Sequence, residues 1–106
     1  MEGNSSTHIN LNEFLREKAS EDILLVFTAA WLSQSSIVNV VVHKVQLALP
    51  ELNVRLIDVD QNEELISRFY IDKLPSAVLI KQGLMKRKIT GTFSKKDVID
   101  AYRDES

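Results

Sequence analysis

The apolar positions of this 106-residue chain change their period several times, and each change marks a new element. Residues 23–28, Ile-Leu-Leu-Val-Phe-Thr, form a continuous apolar run, the pattern of a strand covered on both faces. Over residues 34–49, Val38, Val41, Val42, Val45, Ala48 and Leu49 recur at helical spacing. Propensity opposes that reading, because residues 37–45 are crowded with β-branched side chains, which are mediocre helix formers. Length and spacing decide for a helix, and Pro50 ends it. Residues 54–59 read as a second buried strand, and 62–70 as a short helix packing through Leu65, Ile66 and Phe69. Residues 76–81 and 86–90 read as strands joined across Gln82 and Gly83, a hairpin signal. Ser94 followed by Asp97 has the spacing of an N-cap, opening a last helix with Val98, Ile99 and Tyr102 facing inward. At the other end, Asn10 and Glu13 have capping-box spacing. Leu11, Phe14 and Leu15 follow on one helical face, after a strand expected over residues 7–9.

The resulting order is βαβαβαββα, an α/β arrangement. Alternation of this kind predicts a mostly parallel sheet between helices, with an antiparallel hairpin at one edge. A length of 106 residues suits one domain over residues 1–106, large enough to bury a core without a disulfide or metal. At 44% hydrophobic and 26% charged the composition is that of an ordinary globular protein. A net charge of −2 provides no bulk attraction to nucleic acid or anionic membrane. No segment reaches the ~18 consecutive apolar residues of a membrane span. Residues 1–7 are polar, without the basic and apolar regions of a secretion signal, so the cytoplasm is the expected location. The absence of cysteine excludes disulfides, thiolate nucleophiles, iron–sulfur clusters and cysteine-ligated zinc.

The residues at the joints carry a resemblance. Residues 23–27 lead into Ala29, Ala30 and Trp31, residues 58–62 read Asp-Val-Asp-Gln-Asn, Leu74-Pro75-Ser76 precedes the hairpin, and Gly83 and Gly91 punctuate its ends. In this order and at this spacing the chain resembles thioredoxin from about Ile9 to Arg103. The resemblance implies a thioredoxin fold with a central mixed β-sheet flanked by helices, a tryptophan before the Cys-Gly-Pro-Cys redox site, and a cis-proline beside that site. It places Pro75 at the cis-proline and Gly91 at the glycine lining the family's substrate groove.

The departures are equally specific. The two redox cysteines are replaced by Leu32 and Ser35, with Ser33 and Gln34 between them. Thiol–disulfide exchange needs a thiolate to attack and a second thiol to resolve the mixed disulfide. Leucine has no nucleophile, and a serine hydroxyl cannot accept the electrons of a disulfide. The family's buried aspartate corresponds to Val26 and its lysine partner to Leu56. Without a thiol to deprotonate, a buried carboxylate only costs stability. Deliberate removal of cysteines would leave that aspartate and lysine in place, so the losses read as natural. Val40 stands where the family has a helix-kinking proline, which predicts a straighter helix.

Three surfaces are candidates for a positive role. The first is the vestigial groove of Trp31, Leu32, Leu74, Pro75, Thr90 and Gly91. In redox-active relatives it holds an extended peptide by a form of strand addition; the competing explanation is that Pro75 persists only to shape a turn. The second is the basic run of Lys81, Lys86, Arg87, Lys88, Lys95 and Lys96, which either meets an acidic partner or guards a sheet edge. The third, Ser36 with His43, is too widely spaced for catalysis: seven residues of helix separate the two by ~10 Å, against the ~3 Å a nucleophile and base require. The expectation is therefore a redox-inactive, non-enzymatic module with no cofactor and no metal, binding a protein or extended peptide through the groove. Its oligomeric state is left open. The alternatives are a docking domain of a larger redox assembly, since residues 31–35 and 48–52 are similar to the thioredoxin-like domain of monothiol glutaredoxins, or a relic without a partner.

Overall fold

The computed structural model describes Glu13, Arg16 and residues 20–105. The expected strand over residues 7–9 and most of the helix after it lie outside the described residues. The rest forms strands β1 (Asp22–Thr28), β2 (Leu52–Asp58), β3 (Ser76–Lys81) and β4 (Leu84–Thr90), with helices α1 (Ser35–Ala48), α2 (Glu63–Phe69) and α3 (Lys95–Asp104). A short 3-10 helix, Val59–Gln61, follows β2. The sheet order is β2-β1-β3-β4.

β1 runs through the middle of the sheet, with every residue from Ile23 to Phe27 no more than 1% exposed. Its side chains alternate between two cores. Ile23, Leu25 and Phe27 pack with Leu65 and Phe69 of α2, whereas Leu24 and Val26 pack with Val38, Val42 and Val45 of α1 and Val98 of α3. Burying five such side chains contributes roughly 10 kcal/mol before chain entropy is subtracted. That burial also holds α1 helical against its own propensity. The outward side chains Ile37, Val40 and Leu47 remain exposed, and the helix continues through Val40 without interruption.

The sheet is less parallel than alternation alone predicts. β1 and β2 are parallel, but β3 is antiparallel to β1 and β4 to β3. Helix length accounts for the difference. The fourteen residues of α1 span ~21 Å at 1.5 Å per residue, about the length of a seven-residue strand, and return the chain to its starting end. α2 has seven residues and covers only ~10 Å. The chain therefore re-enters at the end where β2 finished, with Ser76 beside Phe27.

Two strand boundaries also differ from expectation. β2 runs from Leu52 to Asp58 as the outer strand of the described sheet, and Arg55 and Leu56 on it are exposed rather than buried. It stops at Asp58 because that carboxylate accepts the Asp60 N–H at 2.9 Å and caps the 3-10 helix. β4 begins at Leu84 rather than Lys86, directly after a two-residue turn in which Gln82 and Gly83 have φ of 55° and 78°. Two successive positive φ values match the twist of a tight hairpin. The register shifts beside Leu79 and Ile80, leaving Lys86 as the extra residue of a bulge. α3 carries a full capping box, with Asp97 N–H donating to Ser94 Oγ and Ser94 N–H to Asp97 Oδ2.

Candidate functional site

The C-terminal ends of β1 and β2 lie side by side, with Thr28 opposite Asp58. The segments that leave these ends build one cleft. After β1 the chain turns twice, with Leu32 N–H donating to Ala29 O and Ser35 N–H to Leu32 O, both at 3.1 Å. These turns lift Trp31 to the surface, where it is 66% exposed, and tuck Leu32 against the core. After β2, Asp58 fixes the 3-10 helix, and Asn62 Nδ2–H donates to the Asp58 carbonyl at 2.9 Å. Asp60 is thereby placed to accept the indole N–H of Trp31 at 2.9 Å.

The far wall comes from α2 and the residues after it. Tyr70 adopts the left-handed conformation at the end of α2, and Ile71 N–H donates to Ile66 O at 2.9 Å. Lys88 Nζ reaches across from β4 to the carbonyls of Phe69 and Tyr70 at 3.3 and 2.8 Å, supplying donors to the helix C-terminus. Trp31, Leu32, Val59, Ile66, Ile71 and Leu74, with Asp72 and Lys73, enclose a cleft of about 440 Å³. Its floor is the apolar core beneath α2. Such a cavity can hold one or two apolar side chains of a partner and offers carboxylates at its rim.

The residues singled out in the sequence are only partly brought together. Trp31, Leu32 and Leu74 line the cleft. Pro75 is buried next to it, and the Leu74–Pro75 peptide is cis. Thr90 pairs with Ser76 across the sheet, but neither Thr90 nor Gly91 lines the cleft. Gly91 has φ of 83° with open space where a Cβ would stand, so its requirement is backbone conformation rather than close approach. Ser33, Gln34 and Ser35 lie where α1 begins, and the Ser33 hydroxyl donates to Gln34 Oε1 at 3.1 Å. Val26 and Leu56 are register neighbours on the opposite face of the sheet; Val26 is fully buried, whereas Leu56 is 40% exposed. Sequence reasoning missed Val59, Asp60, Ile66, Ile71, Asp72 and Lys73 as site residues. Val59 and Asp60 lay within the quoted Asp-Val-Asp-Gln-Asn motif, which was the available signal.

Four of the six cations in the basic run, Lys81, Arg87, Lys88 and Lys96, have partners inside the molecule. Arg87 meets Asp104 and Glu105 at 3.5 and 3.2 Å, and Lys96 meets Asp100 at 2.6 Å. Lys81 approaches Asp22 at 3.9 Å and lies 4.6 Å from the centre of the Tyr102 ring. Tyr102 donates to Asp22 at 2.6 Å, and this bond, with partial burial, pushes its hydroxyl up to about 12. The cluster clasps α3 to the sheet. His43 and Ser36 are exposed on α1. Among the described residues no group of His, Asp or Glu could hold a metal ion, and no helix is long and apolar enough to cross a membrane.

Comparison with known proteins agrees with this architecture. The thioredoxin family profile matches residues 4–104. A thioredoxin H-type of Fagopyrum esculentum is 24% identical over 80 residues, covering 74% of this chain and 69% of that protein. The crystal structure of Fasciola hepatica thioredoxin superposes with a TM-score of 0.77 at 26% identity, covering 88% of this chain and 89% of the other. Thioredoxin of Trypanosoma brucei brucei, 18% identical, shares the fold with a TM-score of 0.79 over 99% of this chain and 96% of its own. The chain belongs to the thioredoxin family, and it does so without a single cysteine to carry thiol–disulfide exchange.

Proposed function

We propose that this protein is a redox-inactive binding module of the cytoplasm that docks an extended segment of a partner protein in the cleft beside Trp31, Leu32 and Leu74. The observation that carries this reading is an open apolar cleft whose most exposed wall is an indole held in place by Asp60. An exposed aromatic anchored by a hydrogen bond is already ordered, so little side-chain entropy is lost when a partner covers it. Aromatic residues of this kind are enriched among the energetically dominant positions of interfaces. Leu32, where the family has its attacking thiol, adds apolar surface at the mouth of the cleft. The substitution exchanges reactivity for contact area.

Panning a random heptapeptide library on the wild type, with counter-panning on Leu32→Glu, tests the reading. Trp31 is the single tryptophan, so its fluorescence reports the cleft alone. The expected result is a peptide pool retained by the wild type, not by the variant, whose members change Trp31 emission. A pool retained equally by both proteins, or one without effect on Trp31, contradicts it.

A further inference from the structure

The rim of the cleft is charged unevenly, and the imbalance lies next to the exposed indole. Asp60 accepts the Trp31 N–H, which places a carboxylate at the edge of the ring while leaving the ring 66% exposed. Asp72 lines the cleft. Glu63 lies one turn before Ile66 on the same face of α2 and is exposed. Lys73 is the one basic residue of the lining. The ammonium groups of Lys73 and Lys88 belong to the far wall, at residues 69–73, so the carboxylate of Asp60 is the charge set against the exposed indole. Among the hairpin's cations, Arg87 is paired with α3 carboxylates.

We infer that the docked segment is basic as well as apolar: an aliphatic or aromatic side chain fills the cleft while a flanking arginine or lysine lies over Trp31 and meets Asp60 or Asp72. An indole is the strongest aromatic partner for a cation. An arginine there gains both the ring face and a carboxylate for its planar fork. A segment with acidic flanks would meet like charge at the same positions, and rejection of that kind gives specificity without further contacts. The inference rests on the docking reading above and specifies its partner.

Three blocked heptapeptides sharing a Val-Leu-Val centre and carrying Arg, Gln or Glu on each side separate the two claims. Binding is followed by Trp31 fluorescence at low and high salt, on the wild type and on Asp60→Asn/Asp72→Asn. Asparagine keeps an oxygen acceptor for the indole, so the ring stays oriented when the charge is removed. The Arg peptide is expected to bind about tenfold tighter than the Glu peptide at low salt, with the ratio shrinking in high salt and collapsing in the double variant. Equal binding of all three, or tighter binding of the Glu peptide, overturns the basic preference and leaves the docking site standing. A preference for Arg that survives in the double variant also overturns it. No change in Trp31 with any peptide up to about 1 mM, the weak limit of useful recognition, overturns both claims.

Discussion

Replacing Val26 with aspartate buries a carboxyl where the resemblance to redox-active thioredoxins implies one, without a thiol for it to serve. Val26 is completely buried among Leu24, Val38, Val42 and Ala77. Its register neighbours are Leu56 on β2 and Ala77 on β3, so no cation faces it from either strand. Losing the valine and burying a neutral carboxyl in its place costs about 3 kcal/mol. Ionisation adds more: burial without a partner raises the carboxyl by about three pKa units, each equivalent to about 1.4 kcal/mol. The folded-state value then lies above the unfolded value of about 3.9, so the deficit is smallest below that pH and grows as pH rises to the folded value. The expected deficit is about 3 kcal/mol near pH 4 and about 7 near pH 8, enough to unfold a domain whose total stability is of order 5–15 kcal/mol. Urea melts of wild type and variant at both pH values, followed by circular dichroism, measure the difference. A further change of Leu56→Lys should recover about 1 kcal/mol at pH 8, because the half-exposed position lets the ammonium reach water while facing the carboxylate. A deficit below about 1 kcal/mol, the size of an ordinary surface change, or one independent of pH, would refute the burial argument.

Other consequences follow from the clasp and the caps. Tyr102→Phe removes the donor to Asp22 and should cost about 1 kcal/mol near neutral pH. Because the hydroxyl is raised to about 12 in the fold, against an ordinary value near 10, the wild type should lose this contribution only as pH climbs from about 10 through 12, and the variant's alkaline melt should lack that step. Ser94→Ala breaks the capping box of α3 and should lower stability by about 1 kcal/mol in thermal melts, with Ser94→Asp restoring most of it. Gly83→Ala puts a Cβ on a backbone with φ of 78° and should cost about 1 kcal/mol, although the space around it is open.

Much of the fold was legible because burial and period coincide in β1, α1 and α3. The run of residues 23–27 is apolar throughout because both faces of β1 are covered, and the Ser94 and Asp97 pair is local chemistry that needs no tertiary context. Where packing does not discriminate, the reading slipped. Leu56 looks like core but is 40% exposed on β2, and Leu84 and Met85 belong to β4 although both are exposed. The direction of β3 depends on the length of α2 relative to the strands, which periodicity does not report. The site divides in the same way. Trp31, Leu32 and Leu74 were found through the resemblance, whereas Asp60 reaches Trp31 because the ends of β1 and β2 are register neighbours, and Ile71 lines the cleft from the segment after α2. The pairing of Trp31 with Asp60 spans 29 positions and has no local signature.

The central claim, that the apolar cleft has become the working surface in place of the lost thiols, is tested most directly by mapping a bound peptide on the amide spectrum. The heptapeptide retained most tightly in panning is added to isotope-labelled protein, and shifts are read residue by residue. The account predicts that the Trp31 indole N–H and the amides of Leu32, Ile66 and Ile71 through Leu74 move together with one affinity, and that none move in Leu32→Glu. Shifts centred instead on the hairpin around Gln82 and Lys86, with the Trp31 indole unmoved, would contradict it.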